Sequence, residues 1–582
     1  MSNKKIIRDP VYGYIEINAD ILHGVVDTAT FQRLRNVRQT SYDPLYPAAA
    51  HTRFSHSLGV YYLGTFAAGA LKRSFENMLK ENTEYWGPLE ECFGRYQELF
   101  ELACLLHDVG HSPFSHTGEK FYKSSRSDVE ILADKDRYDR QILVARSEEE
   151  KKKIEADYEE ERHYTYLKHL AQLTKDPVFK SPSAESPAPH EIMSCIVALE
   201  AFGTLFYNSD EKSFFSRCIT GLQYEEVIKG KPPEEYTLQE QITIRDRSLR
   251  NCFIQLLHSS IIDVDRLDYI MRDAATAGYQ SVSIDYIRLL KGVSLIRTSD
   301  YSDVFSIGFH KSATSIIENA VYAHDVEKKW VQGHPAILYD SFLLDRAIKS
   351  MEEEIQKEKS TLFSFDSLTG GGSRFGGGIS VRYLCDADLL YLMKNVFWNQ
   401  YSEEYFKRDT RPVPVWKSES EFKAYFTKEE RKKLGEAMRL MGVFTSEGNV
   451  ELDDGELGKR ISAWEANPQN YASQRRKELT EKILELCDKN GLRRKIVILS
   501  ASVFMSNFYK NKDEVKKIPI LFPDIKRVCP LKEVATTLSS DEPEEEKLYY
   551  LYYYPKEGRE KIDTARFSKD LVGIIQDNKL RT

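Results

Sequence analysis

Apolar residues recur at intervals of three and four through "FQRLRNVRQ", where Phe31, Leu34 and Val37 are separated by arginines, and again through "HSLGVYYLGTFAAGALKRSF". That spacing predicts packed helices, and the pattern is mainly helical from Ile21 to about Leu106. Between Glu119 and about Pro189 the chain turns into the charged run "SEEEKKKIEADYEEERHYTYLKHL", then the breaker cluster "SPSAESPAP". Residues 119–189 therefore read as a charged helical insertion, either a solvated surface or a lid over a site. Helical periodicity returns from Glu191, through "LLHSSIIDVDRLDYIMRDA", to about Glu354. The segment "TGGGSRFGGG" at 369–378 has no GK[ST] ending and no strand before it, so it reads as a flexible linker rather than a phosphate cradle. Beyond it "KIVILSASVFM" and "KLYYLYYYP" have the β-branched and aromatic content of strands, with the acidic, hairpin-like "SSDEPEEE" between strand regions. The predicted fold is mainly α, with a helical core over 1–350, a linker and helical extension over 351–470 and a small mixed α/β lobe over 471–582.

The 582 residues suffice for two to four domains and a large core. With 90 acidic and 82 basic residues the net charge is −8, which predicts no broad nucleic-acid-binding face and sends any anionic ligand to a local pocket. Eight cysteines without a CxxC pair indicate reduced thiols rather than a zinc ribbon or a disulfide framework. The amino-terminal "MSNKKIIRDPVYGYIEI" lacks an apolar signal core, and no window approaches the roughly 18 apolar residues of a membrane span. A soluble, cytoplasmic protein is expected.

The chemistry concentrates in "LLHDVGHSPFSH". The apolar run Leu102–Leu106 predicts a buried helix end that carries His107 and Asp108 into a low-dielectric interior, where an ionised carboxylate needs a metal or a cation beside it. Imidazole with carboxylate suits iron, manganese, zinc or, less comfortably, magnesium. Gly110 and Pro113 break the helix and let His111 and His116 face the same cavity. In "HTRFSHSLGV" Arg53 and His56 stand three apart, on one helical face, and in "IIDVDRLDYIMRD" Asp265, Tyr269 and Asp273 form a polar stripe at steps of four.

Together, "IIRDPVYGYIEI", "VDTATFQRLRNVRQT", "HTRFSHSLGV", "LLHDVGHSPFSH", "HEIM" and "IDVDRLDYIMRD" resemble the HD-domain metal-dependent phosphohydrolases, specifically the deoxynucleoside triphosphate triphosphohydrolases, over most of residues 6–345. The resemblance implies a helical HD core that begins almost at Met1, and a divalent metal (Mn, Fe, Mg, Zn or Co) on His56, His107, Asp108 and Asp265. It implies that Arg53 contacts phosphates, that His111 and His116 line the α-phosphate, and that His116 acts as acid, with His190 supporting or competing. Gln39 would read the sugar 3′-hydroxyl, Arg266 the triphosphate, Tyr269 the sugar and phosphates, and Asp273 the water or the ribose edge. Asp27, Gln32 and Arg35 match an activating guanine-nucleotide site, which would couple activity to a homo-oligomer, with a tetramer favoured. The implied reaction is hydrolysis of a dNTP, with dGTP a candidate preference and antiviral dNTP depletion a role that recurs in the family. Four features depart from the family: no arginine matches the expected triphosphate contact around 319–334, where Lys328 and Lys329 are the nearest cations; Thr40 follows Gln39; the loop "TSYDPLYPAAA" is shorter and lacks a glycine run; and the 119–189 insertion is longer. The alternatives are another HD phosphohydrolase or nuclease, or a sensor that has lost catalysis. A GYP string and an HDxxED motif, which mark two other HD classes, are both absent.

Overall fold

The computed structural model describes residues 4–122, 166–180, 187–441, 449–453, 471–502, 517–535, 547–556 and 562–577, apart from 43, 260–261, 279–282, 298–302, 359, 377 and 526. The fold is mainly α with a few small sheets, as the periodicity predicts. It divides into two compact units that interleave along the chain: Met1–Glu327, Ile348–Trp398 and Ser506–Ser540 form one, and Lys328–Ala347, Asn399–Met505 and Asp541–Thr582 the other. The boundaries expected at 350 and 470 do not coincide with this division.

In the first unit, helix α1 (Arg53–Glu81) packs on α2 (Thr83–Leu106). The Asn82 side chain between them accepts a hydrogen bond from the Tyr85 amide and so starts the second helix. Helix α3 (Pro189–Ala201) lies against α2, and α4 (Val264–Ala277) against α1. The Asp263 carboxylate caps α4 by accepting from the Arg266 amide at 2.6 Å, and Gly278 ends it in the left-handed region at φ +80°. Of Tyr166–Asp176 and its neighbours, the helix Tyr166–Thr174 and the turn Pro177–Lys180 are described, while most of the expected insertion, including nearly all of its charged run, lies outside the described residues.

Three expectations need correction. Phe31, Leu34 and Val37 are fully buried as their spacing requires, but only Ala29–Gln32 is α-helical; a tighter 3-10 turn, Arg33–Asn36, follows. Pro44 and Pro47 interrupt any helix beyond it, and the backbone of 37–39 instead pairs with 51–53, Gln39 N–H donating to His51 O at 3.1 Å and Arg53 N–H to Val37 O at 2.9 Å. The uninterrupted helical reading of 191–354 fails at Val293–Arg297 and Phe305–His310, which are strands. These pair antiparallel, and Pro519–Phe522 and Arg527–Pro530 extend the sheet, so part of the predicted carboxy-terminal lobe joins the first unit. The glycine-rich stretch is also no loose linker: Ser373–Phe375 and Ile379–Val381 form a hairpin in the first unit, with Ser373 hydrogen bonded to Ser364 and Ser367. Near the hairpin, α5 (Asp386–Asn395) begins.

The second unit holds the predicted strands. Leu492–Ser502 pairs antiparallel with Lys547–Pro555, in the order Val413–Pro414, Lys547–Pro555, Leu492–Ser502, Asn449–Asp453. Trp416, Phe422, Phe426, Ile496, Ile498, Tyr549 and Leu551 form its core, and the Trp416 indole donates to Tyr549 O at 2.7 Å. The acidic segment "SSDEPEEE" lies outside the described residues. Among the described residues no helix is long and apolar enough to cross a membrane.

Candidate active site

Helix α2 ends in the buried run Leu102–Leu106, and His107 and Asp108 follow in the interior, as the apolar pattern requires. The His107 Nδ1–H donates to Cys104 O at 2.9 Å, a bond inside its own helix end, which leaves Nε2 free to face the site. One turn into α1, His56 is wholly buried, and its Nδ1–H donates to Asp268 at 2.7 Å. With both Nδ1 atoms tied to acceptors, the two Nε2 atoms converge at 3.3 Å. Carboxylates surround them. Asp265 lies 2.9 Å from His56 Nε2 and 3.6 Å from that of His107, and Asp108 lies 3.6 and 3.5 Å from the same two atoms.

Two imidazole nitrogens this close repel unless a proton or a cation lies between them. His56, His107 and Asp108 form a group whose ligand atoms are all mutually near enough to share one ion. Asp265 adds an oxygen from the open side, where its side chain is 39% exposed. The donor set of two neutral imidazoles and two carboxylates fits a divalent transition metal, and the hydrogen bonds to both Nδ1 atoms are the outer partners such ligands need. The cluster could thus hold the divalent cation expected from the sequence.

The electrostatics agree. Burial alone would lower the His56 pKa, but hydrogen bonds to Asp265 and Asp268 outweigh it and hold the imidazole at about 9. Burial would raise Asp108, yet the Arg53 guanidinium at 2.7 Å, with His107 and His56, draws it down to about 2. Asp265 is held well below the usual carboxylate range because hydrogen bonds from His107 and His56 outweigh its desolvation. A proton on His56 therefore occupies the place a cation would take, and metal uptake is expected to release it. Because the folded pKa lies above the ordinary 6.5, that proton stabilises the metal-free protein fully below pH 6.5 and ceases to do so as pH rises through about 9. The metal-free thermal midpoint is expected to fall across this window by the equivalent of roughly 3 kcal/mol. Saturating divalent metal should flatten the slope, and a midpoint with the same pH slope with and without metal would refute the assignment.

Beyond the candidate ligands, Arg53 donates through Nη1 to Asp108 and through Nε to Ser115 Oγ at 2.9 Å, leaving its buried Nη2 with no protein partner. His111 is wholly buried, and neither ring nitrogen has a hydrogen-bond partner; burial, with Arg53 beside it, keeps it neutral by holding its pKa well below the ordinary value. Its ring stacks on His190 at 4.2 Å. His116 is the exposed member, 5.5 Å from the His111 ring. Glu119 joins His116, at 2.9 Å from Nδ1, to the Nδ1 of His190. Hydrogen bonds from these two histidines outweigh desolvation and keep Glu119 ionised, and Glu119 in turn raises the pKa of His190 against the effect of burial.

The other predicted residues are distributed unevenly. Gln39 is buried with its Oε1 unpartnered, and Asp273 is buried against His51 at 2.6 Å, its pKa pushed up to about 7 mainly by burial. Tyr269 lies 6.2 Å from the His324 ring, and an Arg266 nitrogen lies 3.4 Å from Ser259 O. Arg35 donates to Gln32 at 2.7 Å and covers the Phe54 ring, while Asp27 pairs with His23 at 2.9 Å. Asp27 and Arg35 are exposed, Gln32 is half-buried, and all three are already engaged within the chain. Lys328 and Lys329 fall in the second unit.

Sequence reasoning missed Asp268, Arg272, Tyr12, Asp9 and Glu119. Asp268 is fully buried, takes hydrogen bonds from His56, from Tyr12 Oη at 2.7 Å and from Arg272, and Arg272 reaches Asp9 at 3.0 Å. Desolvation would raise Asp268, but Arg272 and His56 hold it far below the usual carboxylate range. One signal was available: Asp268 stands four residues before Arg272 and three after Asp265, the ion-pair spacing of a helix.

Comparison with known proteins adds a domain match. Residues 53–176 match the HD domain. The chain carries an HD domain. That domain begins at Arg53 and takes in His56, His107, Asp108, His111 and His116, whereas Asp265 lies beyond it in sequence. The uncharacterized protein YwfO of Bacillus subtilis is 35% identical over 129 residues, 22% of this chain and 27% of that protein. The deoxynucleoside triphosphate triphosphohydrolase SAMHD1 of Danio rerio is 27% identical over 294 residues, 49% of this chain and 36% of that protein. The chain thus matches only about a quarter to a third of these relatives' length. A crystal structure of a hypothetical protein from Aquifex aeolicus shares the fold, with a TM-score of 0.50 and 18% identity over 97% of this chain and 100% of that one. The resemblance to the Danio rerio dNTP triphosphohydrolase thus extends over about half of the chain, and the His/Asp cluster within the HD domain match could hold a divalent metal.

Proposed function

We propose that this phosphohydrolase cleaves a dNTP to the deoxynucleoside and inorganic triphosphate. The observation that supports it best is the convergence of the His56 and His107 Nε2 atoms beside Asp108 and Asp265, with the unpartnered Arg53 Nη2 alongside. Held by those four ligands, the divalent ion would supply Lewis-acid stabilisation of phosphoryl charge and a more acidic water. Arg53 then offers a desolvated, fork-shaped donor to a phosphate oxygen. His111, neutral and buried, offers a ring N–H to a second oxygen without adding charge. His116, exposed and anchored by Glu119, would give a proton to the departing 5′-oxygen, and His190, whose pKa Glu119 raises, would support the same direction of transfer. Gln39 supplies an unpartnered oxygen suited to a sugar hydroxyl, and Asp273, held by His51, would lie at the water or the ribose edge.

The test is product analysis with each dNTP, singly and mixed, in manganese, magnesium or cobalt. Free deoxynucleoside is expected; monophosphate or diphosphate alone would refute this cleavage. Turnover only in mixtures would support a nucleotide activator at Asp27, Gln32 and Arg35 acting through an oligomer, and full turnover of each dNTP alone would exclude it. One observation favours a second reading, a monophosphate-containing substrate: the helix Thr314–Glu327 carries no arginine or lysine to meet a triphosphate. Faster hydrolysis of a nucleoside monophosphate than of any dNTP would select it.

A further inference from the structure

The turn between His111 and His116 has a backbone that its residues do not favour. Phe114 and Ser115 take φ of +56° and +50°, a left-handed region that L side chains adopt rarely, and neither is glycine. Something outside the turn must hold it there.

We propose that Asp386, the first residue of α5, is a positioning residue for this catalytic turn. Its carboxylate is buried, 272 residues downstream of Phe114 and outside the HD domain match. One oxygen accepts the Phe114 N–H at 2.7 Å and the other accepts the Arg38 N–H at 3.0 Å. A single side chain thereby ties the strained turn to the segment that carries Gln39. Two further links close the same frame. Ser115 Oγ accepts from Arg53 Nε and donates to Arg38 O, so the turn fixes the phosphate-facing arginine. The buried Arg33 guanidinium donates to Val109 O at 2.9 Å and His111 O at 2.8 Å on one side, and to Leu384 O at 2.8 Å on the other.

The chemistry requires a carboxylate rather than an amide. Both backbone partners are donors, so both side-chain oxygens must accept. Asparagine would present an NH2 to one of the two N–H groups and leave a buried donor unpaired. Neither Asp386 nor Arg33 touches the proposed substrate; each acts through His111, His116 and Arg53.

The proposal rests on the phosphohydrolase reading of the site, and its test has one arm that does not depend on the substrate. Asp386→Asn is expected to lower kcat at least tenfold while elemental analysis finds the native metal content. Asp176→Asn, which breaks a buried pair with Arg217 elsewhere in the first unit, serves as the control: at a similar loss in Tm it is expected to keep kcat within twofold. Asp386→Glu, which retains both acceptor oxygens, should recover part of the loss, and it is the variant to read if the asparagine protein does not fold. In hydrogen exchange, amides of 109–118 and of Arg38 should exchange faster in either variant than in the native protein. Native kcat in Asp386→Asn, or a fall no larger than that of Asp176→Asn at equal Tm, would overturn the proposal. If the native protein turns over no dNTP, the substrate reading fails, bis(4-nitrophenyl) phosphate replaces it in the rate arm, and unchanged exchange at 109–118 would by itself sink the role of Asp386.

Discussion

Asp108→Asn is expected to abolish hydrolysis, with at least about a thousandfold loss in kcat/KM, equivalent to about 4 kcal/mol of transition-state stabilisation. The reason is that Asp108 serves four neighbours at once. It contributes an anionic oxygen beside the His56 and His107 nitrogens, neutralises the Arg53 guanidinium at 2.7 Å and faces His111 at 3.4 Å. The amide keeps the volume and removes the charge, so metal should be lost together with turnover. Stability should fall as well, because a buried guanidinium left without its carboxylate costs about 3–5 kcal/mol. Elemental analysis and calorimetry of the variant check both effects. An Asp108→Asn protein that retains its metal and a tenth of native turnover would remove this residue from the reaction.

Asp268→Asn should produce the second-largest effect, through a residue that holds no metal. Asp268 is fully buried and accepts from His56, Tyr12 and Arg272, so it fixes which His56 nitrogen carries the proton and which faces the cluster. Loss of an outer partner of this kind lowers metal affinity by about 10–100-fold. Here the uncompensated Arg272 adds a stability loss of about 3–5 kcal/mol. Gly59 gives an independent check, because a Cβ at that position would run into the Asp268 carboxylate and Arg272. Gly59→Ala, with all four proposed ligands intact, is therefore expected to weaken metal binding too. Titration with manganese distinguishes the outcomes: native affinity in both variants would show that His56 needs no orientation from Asp268.

The two effects differ in how far the chain announced them. An apolar run leading straight into "HDVGH" already implies a buried carboxylate needing a cation, so His107 and Asp108 were legible from local pattern alone. Arg53 and His56 were legible for a similar reason, being three apart at the start of a strongly apolar helix. Asp268 was not, because its neighbour Asp265 offered an equally acidic side chain on the same helix, and only packing against α1 shows which of the two lies under His56 and which at the open side. Glu119 was hidden at the edge of a charged segment, where an acidic residue draws no notice until two histidines are seen to share it.

Helix content followed from periodicity, because burial of one face imposes a repeat of 3.6 on a helix, and the strands of the second unit followed from their β-branched and aromatic content. The ligand types followed from chemistry, since a buried carboxylate and imidazole have few other uses in such a cluster. Long-range partnership did not follow from either. The strand pairing of Phe305–His310 with Pro519–Phe522, the interleaving of the two units and the hold of Asp386 on the Phe114–Ser115 turn join residues hundreds of positions apart. No local pattern encodes such contacts; they depend on which buried donors remain unsatisfied once the helices have packed, and that is decided only in three dimensions.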